Sequence, residues 1–214
     1  MSTAIADLRQ EYSSQVLLEE NVATDPVSQF QIWWQQALES EITEPNAMTL
    51  ATASADGMPS ARIVLLKGFD KEGFVFFTNY KSYKAMQLAE NPKACLVFHW
   101  KELERQVRIT GLVAPVPEEE SNAYFNARPE GSRIGAWASP QSQVIESRAW
   151  IDNRYEELVQ QMRGKHIDRP PHWGGYMVKP VMVEFWQGRP SRLHDRIQYT
   201  LQEDGTWKIE RLAP

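Results

Sequence analysis

Three basic residues near the C-terminus lie at alternate positions, where they could bind an anion. Arg192, His194 and Arg196 are two residues apart, so on a β-strand all three side chains would project from one face. Neighbouring like charges repel each other unless an anion or a carboxylate lies among them. Because Asp195 would point to the opposite face, the pattern indicates either an anion-binding face or a solvated cationic strip on an outer strand.

The tripeptide Ser82-Tyr83-Lys84 begins a segment with helical spacing. Free backbone N–H groups at the start of a helix, together with a nearby lysine, suit a phosphate group. The alternative is that Ser82 only caps the helix and that Lys84 is a surface charge. The tripeptide is therefore a candidate phosphate site and no more than that.

Two other sets of residues have a similar composition. Arg62 and Lys67 bracket an apolar segment, and five residues apart they should face opposite sides of an ideal strand. If both residues bind one ligand, either they contact different parts of it or the strand contains a bulge. Tyr124, Arg128 and Ser132 form a looser set that could also bind a phosphate.

The usual signatures of several enzyme classes are absent from the sequence. It contains no G-x-G-x-x-G, no Walker A loop and no H-E-x-x-H. Gly131-Ser-Arg-Ile-Gly135 has its serine in the wrong position for a nucleophile elbow. The four histidines lack metal-ligand spacing, so we expect no metal site.

Changes in hydrophobic period predict the elements that must position these residues. Helices are predicted at 25–40, 82–90, 117–126 and 146–163, the first of them because Asp25-Pro26 is a typical helix start. Period-two patterns predict strands at 47–54, 59–67, 74–78, 94–100, 105–116, 176–187, 192–201 and 206–212. Most strands are joined by hairpin signals, which favours a mainly β, α+β fold with an antiparallel barrel-like sheet and peripheral helices. We expect residues 1–23 to be a mobile arm and residues 24–214 to be a single domain.

The composition excludes several classes of protein. The chain has 214 residues, of which 42% are hydrophobic and 24% charged, and no apolar run is long enough to cross a membrane. A net charge of −5 argues against a nucleic-acid-binding surface. Because Cys95 is the only cysteine and residues 1–12 lack a signal-peptide pattern, we expect a cytoplasmic location. The high aromatic content, 11% with 8 Trp, suits either a large core or a planar ligand.

Several separated motifs resemble the pyridoxamine 5′-phosphate oxidase family. The C-terminal ones are Trp173-Gly-Gly175, Glu184-Phe-Trp-Gln-Gly188, Arg192-Leu-His-Asp-Arg196 and Arg211-Leu-Ala-Pro214. Earlier ones are Arg62-Ile-Val-Leu-Leu-Lys67, Leu103-Glu-Arg-Gln-Val107 and Ile134-Gly-Ala-Trp137. They occur in the expected order, and the resemblance extends from about Leu8 to the last residue.

The resemblance implies an FMN-binding split β-barrel homodimer with FMN at the subunit interface. It further implies oxidation of pyridoxamine or pyridoxine 5′-phosphate to pyridoxal 5′-phosphate, by hydride transfer to flavin N5 and reoxidation by O₂ with release of H₂O₂. The implied FMN contacts are Arg62, Ile63, Val64, Leu65, Leu66, Lys67, Phe77, Thr78, Tyr83, Lys84, Gln106, Gln141, Ser142, Trp186 and Arg196. The implied substrate contacts are Arg9, Gln10, Glu11, Tyr12, Lys67, Tyr124, Arg128, Ser132, Arg192 and His194, of which Arg192 and His194 would orient the reacting ring as catalytic residues.

One position departs from the family pattern. Tyr83 stands where the family usually has an arginine, beside Lys84. The loss of one cation should weaken the grip on the FMN phosphate unless the Tyr83 hydroxyl or another residue compensates.

Two other functions compete with the oxidase. One is a different flavin-dependent split-barrel enzyme, such as a flavin reductase, and the other is a non-catalytic protein that binds pyridoxal phosphate or flavin. The Arg192–Arg196 motif and the Trp186 region favour the phosphorylated vitamin B6 substrate.

Overall fold

The computed structural model describes residue 12 and residues 15–214, which form five α-helices and nine β-strands. The helices are α1 (Pro26–Leu38), α2 (Tyr83–Glu90), α3 (Glu118–Ala127), α4 (Glu130–Ala138) and α5 (Arg148–Met162). The strands are β1 (Ala47–Ala53), β2 (Pro59–Leu65), β3 (Gly68–Asp70), β4 (Gly73–Asn79), β5 (Lys93–Trp100), β6 (Arg105–Pro115), β7 (Trp173–Gln187), β8 (Asp195–Leu201) and β9 (Trp207–Arg211). Within these described residues, no helix is both long and apolar enough to cross a membrane.

The strands form a sheet of order β2-β1-β5-β6-β7-β4-β3, and β8 joins β7 to β9. The pairs β3–β4, β4–β7, β7–β8 and β8–β9 are antiparallel. With 15 residues, β7 pairs with β4 through its first half and with β8 through its second. This arrangement confirms the mainly β, antiparallel architecture with peripheral helices.

The chain divides into two compact units. The first contains the described residues up to Leu50 together with 95–111 and 180–214, and the second contains 51–94 and 112–179. In the first unit, the Asp25 carboxylate accepts hydrogen bonds from the backbone of the first turn of α1, as the sequence predicts. The helix then buries Phe30 against Phe98 and Trp33 against Phe185, both with ring centroids 5.1 Å apart.

The second unit has its own hydrophobic cluster. Phe125, Ile134, Ile167 and Trp173 are buried together, and Tyr124 packs against them. The cluster fixes α3 and α4 beside the start of β7 and so determines where the polar side chains of these two helices lie.

Two elements have no counterpart in the sequence prediction, namely α4 and the three-residue β3. Gly131 and Gly135 disfavour a helix and follow Pro129, which suggests a loop. The helix forms nevertheless, because it buries Ile134 and Ala138, four residues apart, on one face. Tertiary burial thus outweighs the low helical propensity.

The described residues just before α1 contact the C-terminal strands of the first unit. Leu17 is buried, and its N–H donates to Asp195 at 3.1 Å. Arg211 donates to the Leu17 carbonyl at 2.9 Å and to the Glu19 carboxylate. The predicted boundaries, a mobile arm over 1–23 and a single domain over 24–214, stay predictions.

Candidate functional site

The second unit contains a cavity of about 680 Å³, a size typical of small-molecule sites. Many of the residues implied by the family resemblance line it. They are Ile63, Val64, Leu65, Lys67, Phe77, Thr78, Lys84, Tyr124, Arg128, Ser132 and Gln141. The structure therefore brings together residues that lie up to 78 positions apart in the sequence (63 to 141).

Lys84 is a buried cation in the wall of this cavity. Asn79 accepts a hydrogen bond from the Lys81 N–H at 2.8 Å, and this turn leads into α2, whose first helical turn contains Lys84. The Lys84 ammonium is part of a residue only 8% exposed and donates to Thr78 Oγ1 at 3.2 Å. Burial lowers the pKa of Lys84, and the nearby charge of Arg62 lowers it further. An anion placed here would offset both effects.

Ser82 precedes α2 at the cap position, but its side chain does not cap the helix. Among the described residues, its buried hydroxyl oxygen has no hydrogen-bond partner. A buried hydroxyl without a partner costs free energy, and Ser82 itself does not line the cavity. Ser82 and Lys84 together fit the phosphate of a nucleotide-like cofactor.

Of the implied FMN contacts in the second unit, four do not line the cavity, namely Arg62, Leu66, Tyr83 and Ser142. Leu66 is buried and Tyr83 is 47% exposed, while Ser142 lies in a turn with φ of 70°. Arg62 donates to Thr52 and Ser60 instead, close enough to Lys84 for its charge to be felt there.

Lys67 lines the cavity although Arg62 does not, because β2 ends before Lys67 and its side chains alternate between the two faces only up to that end. Strand β2 stops at Leu65, and the Lys67 N–H donates to the Val75 carbonyl at 2.9 Å. The rule that places Arg62 and Lys67 on opposite faces of an ideal strand thus does not apply to Lys67.

Near-parallel aromatic rings form one wall of the cavity. The rings of Phe77 and Tyr124 are 4.1 Å apart, and those of Phe77 and Trp173 are 5.4 Å apart. Gly175 permits this packing, because a Cβ there would lie 2.7 Å from the Phe77 ring. Arg128 lies over Trp173 at 4.7 Å from the ring centroid, so cations flank a flat apolar surface.

Arg128 lies at the C-terminal end of α3 and Ser132 in the first turn of α4, so both face the same region of the cavity. The Arg128 Nη1 atom is buried and has no hydrogen-bond partner among the described residues. Burial lowers the pKa of Arg128 from its usual value. A guanidinium with an unused donor is suited to bind a phosphate.

The first unit contains a second cluster, around His194. The ring of His194 lies 4.6 Å from that of Trp186 and 5.8 Å from that of Tyr12. The Arg189 N–H donates to His194 Nδ1 at 3.1 Å, so the neutral ring carries its proton on Nε2. Burial and the charge of Arg192 both lower the pKa of His194, which favours the neutral ring at pH 7.

The prediction that Arg192, His194 and Arg196 share one face of a strand is wrong. Strand β8 begins only at Asp195, and Arg192 lies in a 3₁₀ turn in which Ser191 and Arg192 have φ of 56° and 62°. The turn spans Pro190–Arg192. Its proline and the positive φ angles of the two residues that follow prevent an extended strand there.

Arg196 is paired with a carboxylate that the spacing argument did not consider. Its Nε donates at 2.8 Å to Glu184, which is 3% exposed and also contacts Arg108 at 3.2 Å. Glu184 belongs to β7, two positions before Trp186, the residue opposite Arg196. The hydrogen bond to Glu184 raises the pKa of Arg196.

The remaining implied residues are in different situations. Gln106 is half-buried in β6 of the first unit. Arg9, Gln10 and Glu11 lie outside the described residues. Sequence reasoning missed Trp173 as a cavity wall, although the two glycines after it signal a close approach of another segment.

Comparisons with known proteins agree with this arrangement. Residues 34–162 match the family described as pyridoxamine 5′-phosphate oxidase, and residues 173–214 match the pyridoxine 5′-phosphate oxidase C-terminal dimerisation region. The pyridoxine/pyridoxamine 5′-phosphate oxidase of Acaryochloris marina is 58% identical, over 99% of this chain and 96% of that one. The protein of the same name from Cupriavidus metallidurans is 55% identical, over 99% of this chain and 100% of that one.

Solved structures support the fold. PhzG from Burkholderia lata, determined in complex with tetrahydrophenazine-1-carboxylic acid, is 30% identical with a TM-score of 0.88, over 94% of this chain and 100% of that one. A pyridoxamine 5′-phosphate oxidase-related, FMN binding protein from Nostoc punctiforme has a TM-score of 0.70 at 18% identity, over 90% of this chain and 100% of that one, and shows the fold alone. The predicted antiparallel split β-barrel of the FMN-binding type is confirmed.

Proposed function

The chain belongs to the pyridoxamine 5′-phosphate oxidase family, and from this membership we propose that it oxidises pyridoxamine and pyridoxine 5′-phosphate to pyridoxal 5′-phosphate, with FMN as cofactor and O₂ as electron acceptor. The alcohol substrate gives pyridoxal 5′-phosphate and H₂O₂. The amine substrate also consumes water and releases ammonia. A non-catalytic flavin carrier would need no second phosphate pocket.

The observation that carries the proposal is the pair of cationic regions in one cavity with an aromatic wall. Lys84 lines the cavity in one region, where the charge of Arg62 is also felt, and Ser82 lies at the start of the same helix without lining the cavity. Lys67, 5.9 Å from the centroid of the Tyr124 ring, and Arg128, 4.7 Å from that of the Trp173 ring, belong to the other. Two phosphates, one from the cofactor and one from the substrate, need two such regions.

These residues fit FMN, because each region supplies buried cationic or polar groups that an anion would satisfy. When bound, FMN would accept two electrons from the C4′ carbon of the substrate and pass them to O₂. In the proposal, Lys67, Tyr124, Arg128 and Ser132 bind the substrate phosphate.

Another set of residues is proposed to act on the substrate ring. Arg192 and His194 would orient the pyridine ring, and the neutral His194 would offer its Nε2–H as a hydrogen-bond donor. Arg196, held by Glu184, would stabilise negative charge that develops during the reaction. Tyr12, packed against His194, would cover the ring, and Arg9–Glu11 are proposed to contribute from outside the described residues.

The match to a dimerisation region supports a homodimer. We further propose that FMN lies at the subunit interface, where Gln106, Trp186 and Arg196 contact it together with the residues of the cavity. The single cysteine, Cys95, fits a reducing compartment, and a cytoplasmic location is part of the proposal.

Anaerobic reduction tests the proposal directly. Purified protein should be yellow, and pyridoxamine 5′-phosphate added without air should bleach the flavin absorption. Aeration should restore the colour with one H₂O₂ per pyridoxal 5′-phosphate formed. Bleaching by a nicotinamide cofactor alone would identify a flavin reductase, and a yellow protein bleached by neither would be a carrier.

Replacing Tyr83 with arginine is expected to tighten FMN binding by up to about fivefold, since an exposed added cation contributes up to ~1 kcal/mol to a phosphate contact. Tyr83 lies close enough to Arg62 for their charges to interact. Flavin fluorescence titration at low and high salt measures the change, which should shrink with salt. Tyr83→Phe is the control for the hydroxyl group, and an FMN dissociation constant unchanged in Tyr83→Arg would show that position 83 does not contact the phosphate.

A further inference from the structure

A buried polar network surrounds Arg62 behind the cavity, within the second unit. Gln87 in α2 places its Oε1 atom 2.6 Å from Thr52 Oγ1 in β1 and 2.6 Å from Ser60 Oγ in β2. The Gln87 amide nitrogen donates to the Met58 carbonyl at 3.4 Å, which fixes which end of the amide faces the hydroxyls. Gln87 is 2% exposed and Thr52 is 4% exposed, so water does not compete.

The direction of these hydrogen bonds follows from chemistry. An amide oxygen only accepts, so both hydroxyl protons must point towards Gln87. The hydroxyl oxygens are then left as acceptors. Arg62 uses them, since its Nη1 donates to Thr52 at 2.6 Å and its Nη2 to Ser60 at 2.5 Å.

The three side chains of this network are neutral, which has a consequence for the charge of Arg62. The two hydroxyls orient the guanidinium without adding a negative charge of their own, as a carboxylate in the same place would. Gln87 lies three residues after Lys84, so both project from one side of α2. The charges of Arg62 and Lys84 are close enough to disfavour each other, and an anion between them would relieve this.

We propose that Gln87 is a positioning residue for the cofactor phosphate, acting through the hydroxyls of Thr52 and Ser60 on Arg62. It makes no contact with the cofactor itself. This inference rests on the proposed function, which assigns Arg62 and Lys84 to the FMN phosphate. It adds that the strength of phosphate binding depends on the proton directions that Gln87 imposes.

Comparing FMN with riboflavin isolates the phosphate, because riboflavin has the same ring system without it. Gln87→Met, similar in size but without an acceptor, should weaken FMN binding about tenfold and change riboflavin binding less than twofold. Thr52→Val, which keeps the shape and removes the hydroxyl, should do the same, and Thr52→Ser should restore wild-type affinity. The double variant Gln87→Met/Thr52→Val should weaken FMN binding by less than the product of the two single effects, because both changes act in part through the Thr52 hydroxyl.

Gln29→Met is a matched control, because Gln29 is also a 2% exposed glutamine whose Oε1 accepts a backbone hydrogen bond, from Ala23. It should change neither dissociation constant. If Gln87→Met does not fold, Gln87→Glu keeps the acceptor atoms and adds a charge that offsets Arg62, so it too should weaken FMN selectively. Equal losses of FMN and riboflavin, or an unchanged FMN constant in Thr52→Val, would overturn the inference. A wild-type protein that binds FMN no better than riboflavin would overturn the phosphate-site assignment itself.

Discussion

Replacing Arg128 with alanine is expected to raise the KM for pyridoxine 5′-phosphate about a hundredfold, because a charge-assisted hydrogen bond to a phosphate contributes up to ~3 kcal/mol. The guanidinium lies over the Trp173 ring, and its buried Nη1 has no partner among the described residues. The substrate phosphate would therefore lose a donor that is already in place. Steady-state kinetics at saturating FMN measures KM and kcat separately.

The Arg128 variant should keep its flavin, because the proposal assigns Arg128 to the substrate only. Arg128→Lys should give an intermediate KM, since lysine keeps the charge but loses the planar packing on Trp173. Arg148→Ala is the matched control, because this exposed arginine pairs with Asp152 in the same unit. A normal KM in Arg128→Ala, or loss of FMN from it, would contradict the assignment.

Much of the fold could be predicted because local signals agree with tertiary burial. Asp25-Pro26 starts α1 at the predicted place, and period-two segments became strands within a few residues of the predicted limits. The exceptions are segments where local and tertiary preferences conflict. Helix α4 forms against its glycines because Ile134 is buried, and β8 starts late because Pro190 and two left-handed residues come before it.

The candidate site was less accessible to residue patterns alone. The spacing singled out Arg192 and Arg196, but it assumed one continuous strand, which the positive φ of Arg192 rules out. It could not predict that Glu184, on a neighbouring strand, accepts a hydrogen bond from Arg196. Gln87 has no sequence signal at all, since its role depends on two hydroxyls from other elements. Partners that meet only through the fold are invisible to spacing, and the family resemblance was needed to assign most of the site.

Neutral anchoring of cations is the common feature of the cavity. Lys84 is held by a threonine hydroxyl and Arg128 by an aromatic face. Each arrangement fixes a side chain while leaving its charge to act on a ligand, at the cost of desolvating the cation. In a chain of net charge −5, this explains how two phosphates could be attracted locally.

Replacing Arg192 with alanine is expected to lower kcat by about a hundredfold or more, the scale of a lost orienting contact, while FMN stays bound. Arg192 lies in the strained turn before β8, and its charge is felt at His194. His194→Ala should have a similar effect, because its ring is the other group proposed to orient the substrate. Rapid mixing of reduced substrate with the oxidised enzyme, without air, measures the flavin reduction step directly.

The two side chains are coupled, which gives a second readout for the same variant. The positive charge of Arg192 lowers the pKa of His194, so removing it should raise that pKa towards its ordinary value. The His194 ring would then become protonated at a higher pH than in the wild type. The pH at which activity falls on the acid side should therefore move upward. NMR of the His194 ring in Arg192→Ala measures this shift, and Arg189→Ala is the control, because it removes a neighbouring arginine side chain but keeps the backbone N–H that donates to Nδ1. Loss of FMN from purified Arg192→Ala would instead place this arginine in cofactor binding, because a residue that only orients substrate leaves the flavin site intact.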